Sequence, residues 1–160
     1  MKILSLTQPY ASAIPLGLKT WETRSWPTKY RGPLGIHAAK RFPIPAKAFA
    51  RAEYLAGRLP TIPLWMTLGA VVAVVDLTDC IPTEDAWRVI DDLERLYGDY
   101  SPGRFALNLE NIRPLAEPIP AKGSLGLWTP GPELERAIME QLKPLPEPAP
   151  RRQGPAGRLL

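Results

Sequence analysis

Cysteine and histidine are almost missing from this 160-residue chain, which has one of each, Cys80 and His37. An internal disulfide is therefore excluded. A zinc site built from Cys and His has too few ligands. A Ser-His-Asp or Cys-His centre would have to use one of these two residues; the expected readings are a strand histidine and a small buried thiol. No carboxylates cluster at metal-ligand spacing, so neither a metal nor a cofactor is expected. Long apolar runs are also lacking. The longest, near Gly69–Val75, is too short to cross a bilayer, so no membrane partner is expected. Met1–Leu6 lacks the apolar stretch and cleavage site of a signal peptide, and a cytoplasmic location is expected. Asn and Gln are scarce while prolines number 20, a composition that fits a heat-tolerant source with stiff loops.

What is present suits one folded domain. The length allows a real core, and the 45% hydrophobic fraction is ordinary for a globular protein. The net charge of +4 is unevenly spread. Residues 1–60 hold ten Lys and Arg against two Asp and Glu, whereas residues 61–142 hold six against thirteen. One basic region on a nearly balanced chain points to a localised polyanion site. Lys19, Arg24, Lys29, Arg31, Lys40 and Arg41 lie in it, with Trp21, Trp26 and Tyr30 between them. Cations interleaved with aromatics suit a surface that holds phosphate and stacks on bases.

Along the chain, Lys2–Leu6 reads as a strand, followed by a short helix capped by Thr7 and ended by Gly17. Thr20–Ser25 and Leu34–Ala39 read as strands, and Pro45 opens a helix to about Ala56. Gly69–Leu77 is apolar on both faces and is expected to be the central strand, continuing towards Cys80. Thr83 is expected to cap a helix with Trp87, Ile90, Leu93 and Tyr97 facing the core. Phe105–Leu109, extended by Ile112–Leu115, and Leu125–Trp128 read as strands. Pro132 opens a last helix with Leu134, Ile138 and Leu142 inward. Residues 1–142 thus form one domain, and 143–160, with five prolines and three arginines, read as a flexible tail. Strands dominate, with helices as excursions, which predicts an α+β fold built on a mixed β barrel.

The polar residues concentrate in Gly17-x-Lys19-x-x-Glu22-x-Arg24. On a strand, Glu22 and Arg24 share a face and can pair, which orients the guanidinium and aims its remaining donors at a phosphate or base edge. Lys19, at the turn, is expected to supply a mobile cation. Trp26, in a loop before Pro27, is the expected stacking residue, while Trp21 points to the opposite face. Gln8 sits near the helix start, close in sequence to the signature.

This octapeptide, with Leu4-Ser5-Leu6, Gln8-Pro9 and Ala11-Ser12 before it and Arg24-Ser25-Trp26, Thr28 and Arg31-Gly32 after it, resembles the signature of the ASCH (activating signal cointegrator 1 homology) domain family. Val75-Asp76-Leu77-Thr78-Asp79-Cys80 and the stretch Gly123–Trp128 are similar too, so the resemblance spans Lys2–Trp128. It implies a PUA-like β barrel with flanking helices, and a cleft beside the signature that binds RNA or another single-stranded nucleic acid. Lys19, Glu22 and Arg24 would form its floor and Trp26, Lys29 and Arg31 its rim, with Gln8 and Lys40 as further contacts. The resemblance also implies an alternative. Some short relatives resemble N4-acetylcytidine amidohydrolases, and others are described as ribonucleases. A threonine nucleophile in that branch takes the place of Glu22, and Thr20 and Thr23 would face the wrong way to replace it. A hydrolase acting on a modified nucleoside or on RNA would here use Lys19 and Glu22 as an acid–base pair. A third reading is a protein partner bound through the Pro/Arg-rich tail.

Overall fold

Val71 to Val75 cannot face water on either side, and that requirement organises the sheet. In the computed structural model, which describes residues 1–60 and 67–143, this run lies in β4 (Ala70–Pro82), whose first six residues are all buried. β4 is flanked by two antiparallel neighbours, β3 (Gly32–Ala38) and β5 (Phe105–Pro120). β1 (Lys2–Leu6) runs parallel to β3, with Lys2 opposite Leu34 and Leu6 opposite Ala38. β6 (Leu127–Trp128) covers the other side of β1, and β2 (Trp21–Arg24) pairs antiparallel with β5. The order is β2-β5-β4-β3-β1-β6. The β4–β5 ladder slips register at three places. Each irregularity adds twist and bend, and the sheet curls into a half-barrel with helices outside it, a PUA-like α+β fold.

The inner face of the curl collects Leu4, Leu6, Ile36, Val75, Leu77 and Leu107, closed at one end by Ala11 and Ile14. Those two belong to the segment around α1 (Tyr10–Ala13), whose end is sealed by Gly17 at φ +77°. On the outer face Ile3, Val71, Val74 and Leu115 pack with Ile138 of α5 (Pro132–Gln141). α2 (Ile44–Leu55) docks through Ala50, and Phe49 stacks on Tyr10 at 5.5 Å. No helix among the described residues is long and apolar enough to cross a membrane.

Three local expectations need correction. Thr7 does not cap α1 with its side chain; its carbonyl accepts from Ala11 N at 3.2 Å. Thr83 does not cap either, because its hydroxyl donates to the carbonyls of Ser101 and Arg104. The helix expected after it is two short ones, α3 (Thr83–Ala86) and α4 (Asp92–Leu96), because Asp91 accepts from Glu94 N and starts a new helix. The break leaves Ile90 and Tyr97 buried but turns Trp87 outward, 48% exposed, beneath the Arg95 guanidinium at 4.3 Å. The expected tail, residues 143–160, lies outside the described residues apart from Lys143.

Ile138 is the wholly buried residue of α5. Ile138→Ala is expected to lower unfolding stability by about 2–5 kcal/mol, read from urea denaturation as a lower midpoint at unchanged slope.

Candidate functional site

Gly17 N and Leu18 N bond back to Ile14 O and Ala13 O, both at 2.9 Å, and deliver the chain into β2. The carboxylate of Glu94 on α4 then takes three donors from the strand start: Thr20 N (2.8 Å), Thr20 Oγ1 (2.9 Å) and Trp21 N (2.9 Å). This clamp sets the phase of β2. Trp21 packs with Ala86, Ile90, Tyr100 and Ala106 on one side. Glu22 and Arg24 therefore project to the other.

Lys19 is wholly buried. Its Nζ donates to Tyr97 O at 2.7 Å and lies 3.4 Å from Glu22 Oε1 and 5.9 Å from the Tyr10 ring. That geometry replaces the expected mobile cation with a fixed one. Glu22 is buried as well. Its Oε1 accepts from Thr23 N at 2.9 Å, and its Oε2 accepts from Arg24 Nη2 at 3.2 Å. Arg24 Nη2 also donates to Ser5 O at 2.8 Å. Burial pushes the Glu22 carboxyl up, but the Lys19 and Arg24 charges and the Thr23 N–H outweigh it and hold the group below the usual carboxylate range. Tyr97 closes the back. Its hydroxyl donates to Glu53 Oε2 at 2.8 Å, and Glu53 is gripped by Arg58 at 2.6 and 2.7 Å. Burial, then that bond to Glu53, raises the Tyr97 phenol well above its ordinary value.

In front of this triad is a cleft of about 460 Å³, lined by Ser5, Thr7, Tyr10, Arg24 and Arg104 among others. Arg24 is partly exposed, and its Nε and Nη1 have no hydrogen-bond partner among the described residues. The guanidinium lies 6.0 Å from the Trp26 ring, and Trp26 is half-buried against the main core. The other expected contacts lie elsewhere. Gln8 is wholly buried, donating to Ser12 Oγ (2.7 Å) and Thr67 O (2.8 Å) and accepting from Ser12 N (3.1 Å). Lys29 is exposed and is not among the residues lining this cleft. Arg31 donates to the carbonyls of Thr28 and Tyr30 and lies 3.5 Å from Asp79. Lys40 and Arg41 line a second groove of about 1160 Å³. His37 is buried between Ser5 Oγ (2.9 Å) and Ala121 O (2.8 Å), and Cys80 is a free, half-buried thiol. Among the described residues no three His, Cys, Asp or Glu side chains gather as metal ligands.

Sequence reasoning missed Tyr10, Tyr97, Asp99 and Arg104. Arg104 Nε donates to Asp99 O at 3.1 Å, and both residues line the cleft. They reach it from the connection between α4 and β5, and no local motif marks them.

The sequence profile of the ASCH domain matches residues 4–118. This chain belongs to the ASCH domain family. Activating signal cointegrator 1 of Mus musculus and of Homo sapiens are each 30% identical to it over 128 residues, which is 78% of this chain and 21% of theirs. The chain thus spans about a fifth of those relatives. The crystal structures of ASCH from Zymomonas mobilis and of a point mutant of it superpose with a TM-score of 0.54 at 18% identity. They cover 87% of this chain and 93% and 96% of theirs, a likeness of fold. The matched span of this ASCH domain runs from β1 through most of β5 and includes the whole buried triad.

Because the folded pKa of Glu22 is lowered, its stabilisation is full above the unfolded carboxylate value of about 4.3 and is lost as pH falls through the folded value. Glu22→Gln leaves Lys19 buried without its counter-charge and is expected to cost about 3–5 kcal/mol at neutral pH. Thermal unfolding across pH checks this: the gap from wild type should narrow only in acid.

Proposed function

We propose that this ASCH domain binds single-stranded RNA and seats one unpaired nucleotide in the signature cleft. The observation that carries this reading is the state of Arg24. One nitrogen is fixed by Glu22 and the Ser5 carbonyl, while Nε and Nη1 remain available at a cleft of about 460 Å³. A volume of that order suits a nucleotide-sized ligand. An oriented guanidinium with free donors matches a base edge or a phosphate. Trp26, beside that guanidinium, is the stacking surface in this reading. Lys19 contributes charge from below the floor and does not touch the ligand, because it is buried and already bonded.

The hydrolase alternative asks Glu22 to accept a proton near neutral pH and Lys19 to steady an anion. Two cations hold Glu22 ionised, which makes it a weak base, and Lys19 has no exposed surface. Binding is the better-supported class. A modified nucleoside remains a candidate occupant of the same cleft within this reading, as one form of unpaired nucleotide.

Arg24→Ala is expected to weaken binding of a labelled single-stranded RNA by about 1–3 kcal/mol. Arg24→Lys should restore little, since an ammonium cannot be held through one nitrogen while separate, fixed nitrogens donate to the ligand. Fluorescence anisotropy reads both, with circular dichroism as the check on folding. Unchanged affinity in a folded Arg24→Ala protein would remove the assignment.

A further inference from the structure

Three unpaired cations gather in the second groove, whereas those of the signature cleft are paired. Lys40, Arg41 and Lys122 line the larger groove of about 1160 Å³, and among the described residues no carboxylate does. All three cations are exposed, and none has an ion-pair or hydrogen-bond partner among the described residues. The signature cleft is internally neutralised. Its Arg24 is paired with Glu22 at 3.2 Å, and its Arg104 lies 3.5 Å from Asp99 Oδ2. A polyanion gains most from cations that hold only counterions, because those are released on binding without breaking a protein contact.

The groove is built by a clamp that holds Lys122 to the sheet. Ala121 O is an acceptor, so His37 donates to it from Nε2 at 2.8 Å, and in the neutral imidazole Nδ1 then accepts from the Ser5 hydroxyl at 2.9 Å. Ser5 Oγ in turn accepts from Trp128 Nε1 at 3.2 Å. Gly123 presses onto this chain so closely that a Cβ there would stand 2.7 Å from both Ser5 Oγ and His37 Cε1. The connection between β5 and β6 is thereby fixed against β1 and β3. Lys122 comes to one groove with Lys40 and Arg41, which follow β3. Ser5 lines both cavities. Its carbonyl holds Arg24 and its hydroxyl holds the clamp, so the two cavities adjoin across a single residue.

We propose that the second groove is a phosphate track for the strand whose nucleotide occupies the signature cleft, a proposal that rests on the reading above. Lys40, Arg41 and Lys122 contact successive phosphodiesters without regard to sequence. The signature cleft supplies the base contact. Leu125, 99% exposed, lines the same groove and gives the sugars an apolar neighbour.

The test compares a labelled uridine dinucleotide with an oligouridine of about ten nucleotides, each titrated over a range of salt. The proteins are the full chain, Lys40→Ala/Arg41→Ala/Lys122→Ala, and Arg24→Ala. The triple variant should flatten the logarithmic salt dependence of the longer strand by about 2, three contacts at roughly 0.7 each, and leave the dinucleotide unaffected. Arg24→Ala should weaken both ligands. A triple variant that binds the longer strand with unchanged affinity and salt slope would overturn the phosphate track and leave the signature cleft standing. Failure of the wild type to bind either RNA at low salt would remove both. The three substitutions lie at exposed positions, so the fold is expected to survive them.

Discussion

A carboxylate shared by two cations underlies the rest of the site. Glu22 lies 3.4 Å from one and 3.2 Å from the other, and each cation is also tied to a backbone carbonyl from a different part of the chain. Lys19 reaches Tyr97 at the end of α4, and Arg24 reaches Ser5 in β1. The triad therefore joins three segments that no ladder connects directly. Removing Glu22 would leave buried Lys19 and partly exposed Arg24 without their shared counter-charge, which is why the carboxylate is the member that the arrangement depends on. The same bonds that stabilise the fold leave the Nε and Nη1 donors of Arg24 unused in a residue that lines a cleft. Structure and candidate function are in this sense properties of one arrangement.

Orientation and attraction are separated in space. The signature cleft carries oriented but paired charge, suited to discriminating what enters it. The neighbouring groove carries free charge, suited to drawing a polyanion in from solution. Ser5 stands between them, its carbonyl engaged on one side and its hydroxyl on the other. The Trp128–Ser5–His37–Ala121 chain and the Gly123 contact keep the lysine-bearing loop in place without an ion pair. His37 thus has a positional task that needs no reactivity.

Much of the fold was readable from local pattern. The apolar run from Ala70 to Val75 had to lie inside a sheet, and it became the third of six strands. Alternation in Trp21-Glu22-Thr23-Arg24 placed Glu22 and Arg24 on one face, as their 3.2 Å contact requires. Long-range events were not readable. Lys19 looks like a surface cation until Tyr97, 78 residues later, offers its carbonyl. Lys40 and Arg41 follow the signature closely in sequence, yet the curl of the sheet carries them to the groove shared with Lys122. Arg104 and Asp99 have no motif, and their position depends on how α4 leads into β5. Trp87 was misread because helical spacing continued past Asp91, where capping restarted the helix.

The central claim is that Arg24, held by Glu22, meets the ligand with its unused Nε and Nη1 donors. The side-chain Nε–H resonance of Arg24, followed in ¹⁵N-labelled protein during titration with single-stranded RNA, tests this most directly. The account predicts that this resonance shifts and saturates with the same affinity that anisotropy reports. Saturable RNA binding that leaves the Arg24 resonance unmoved would contradict it.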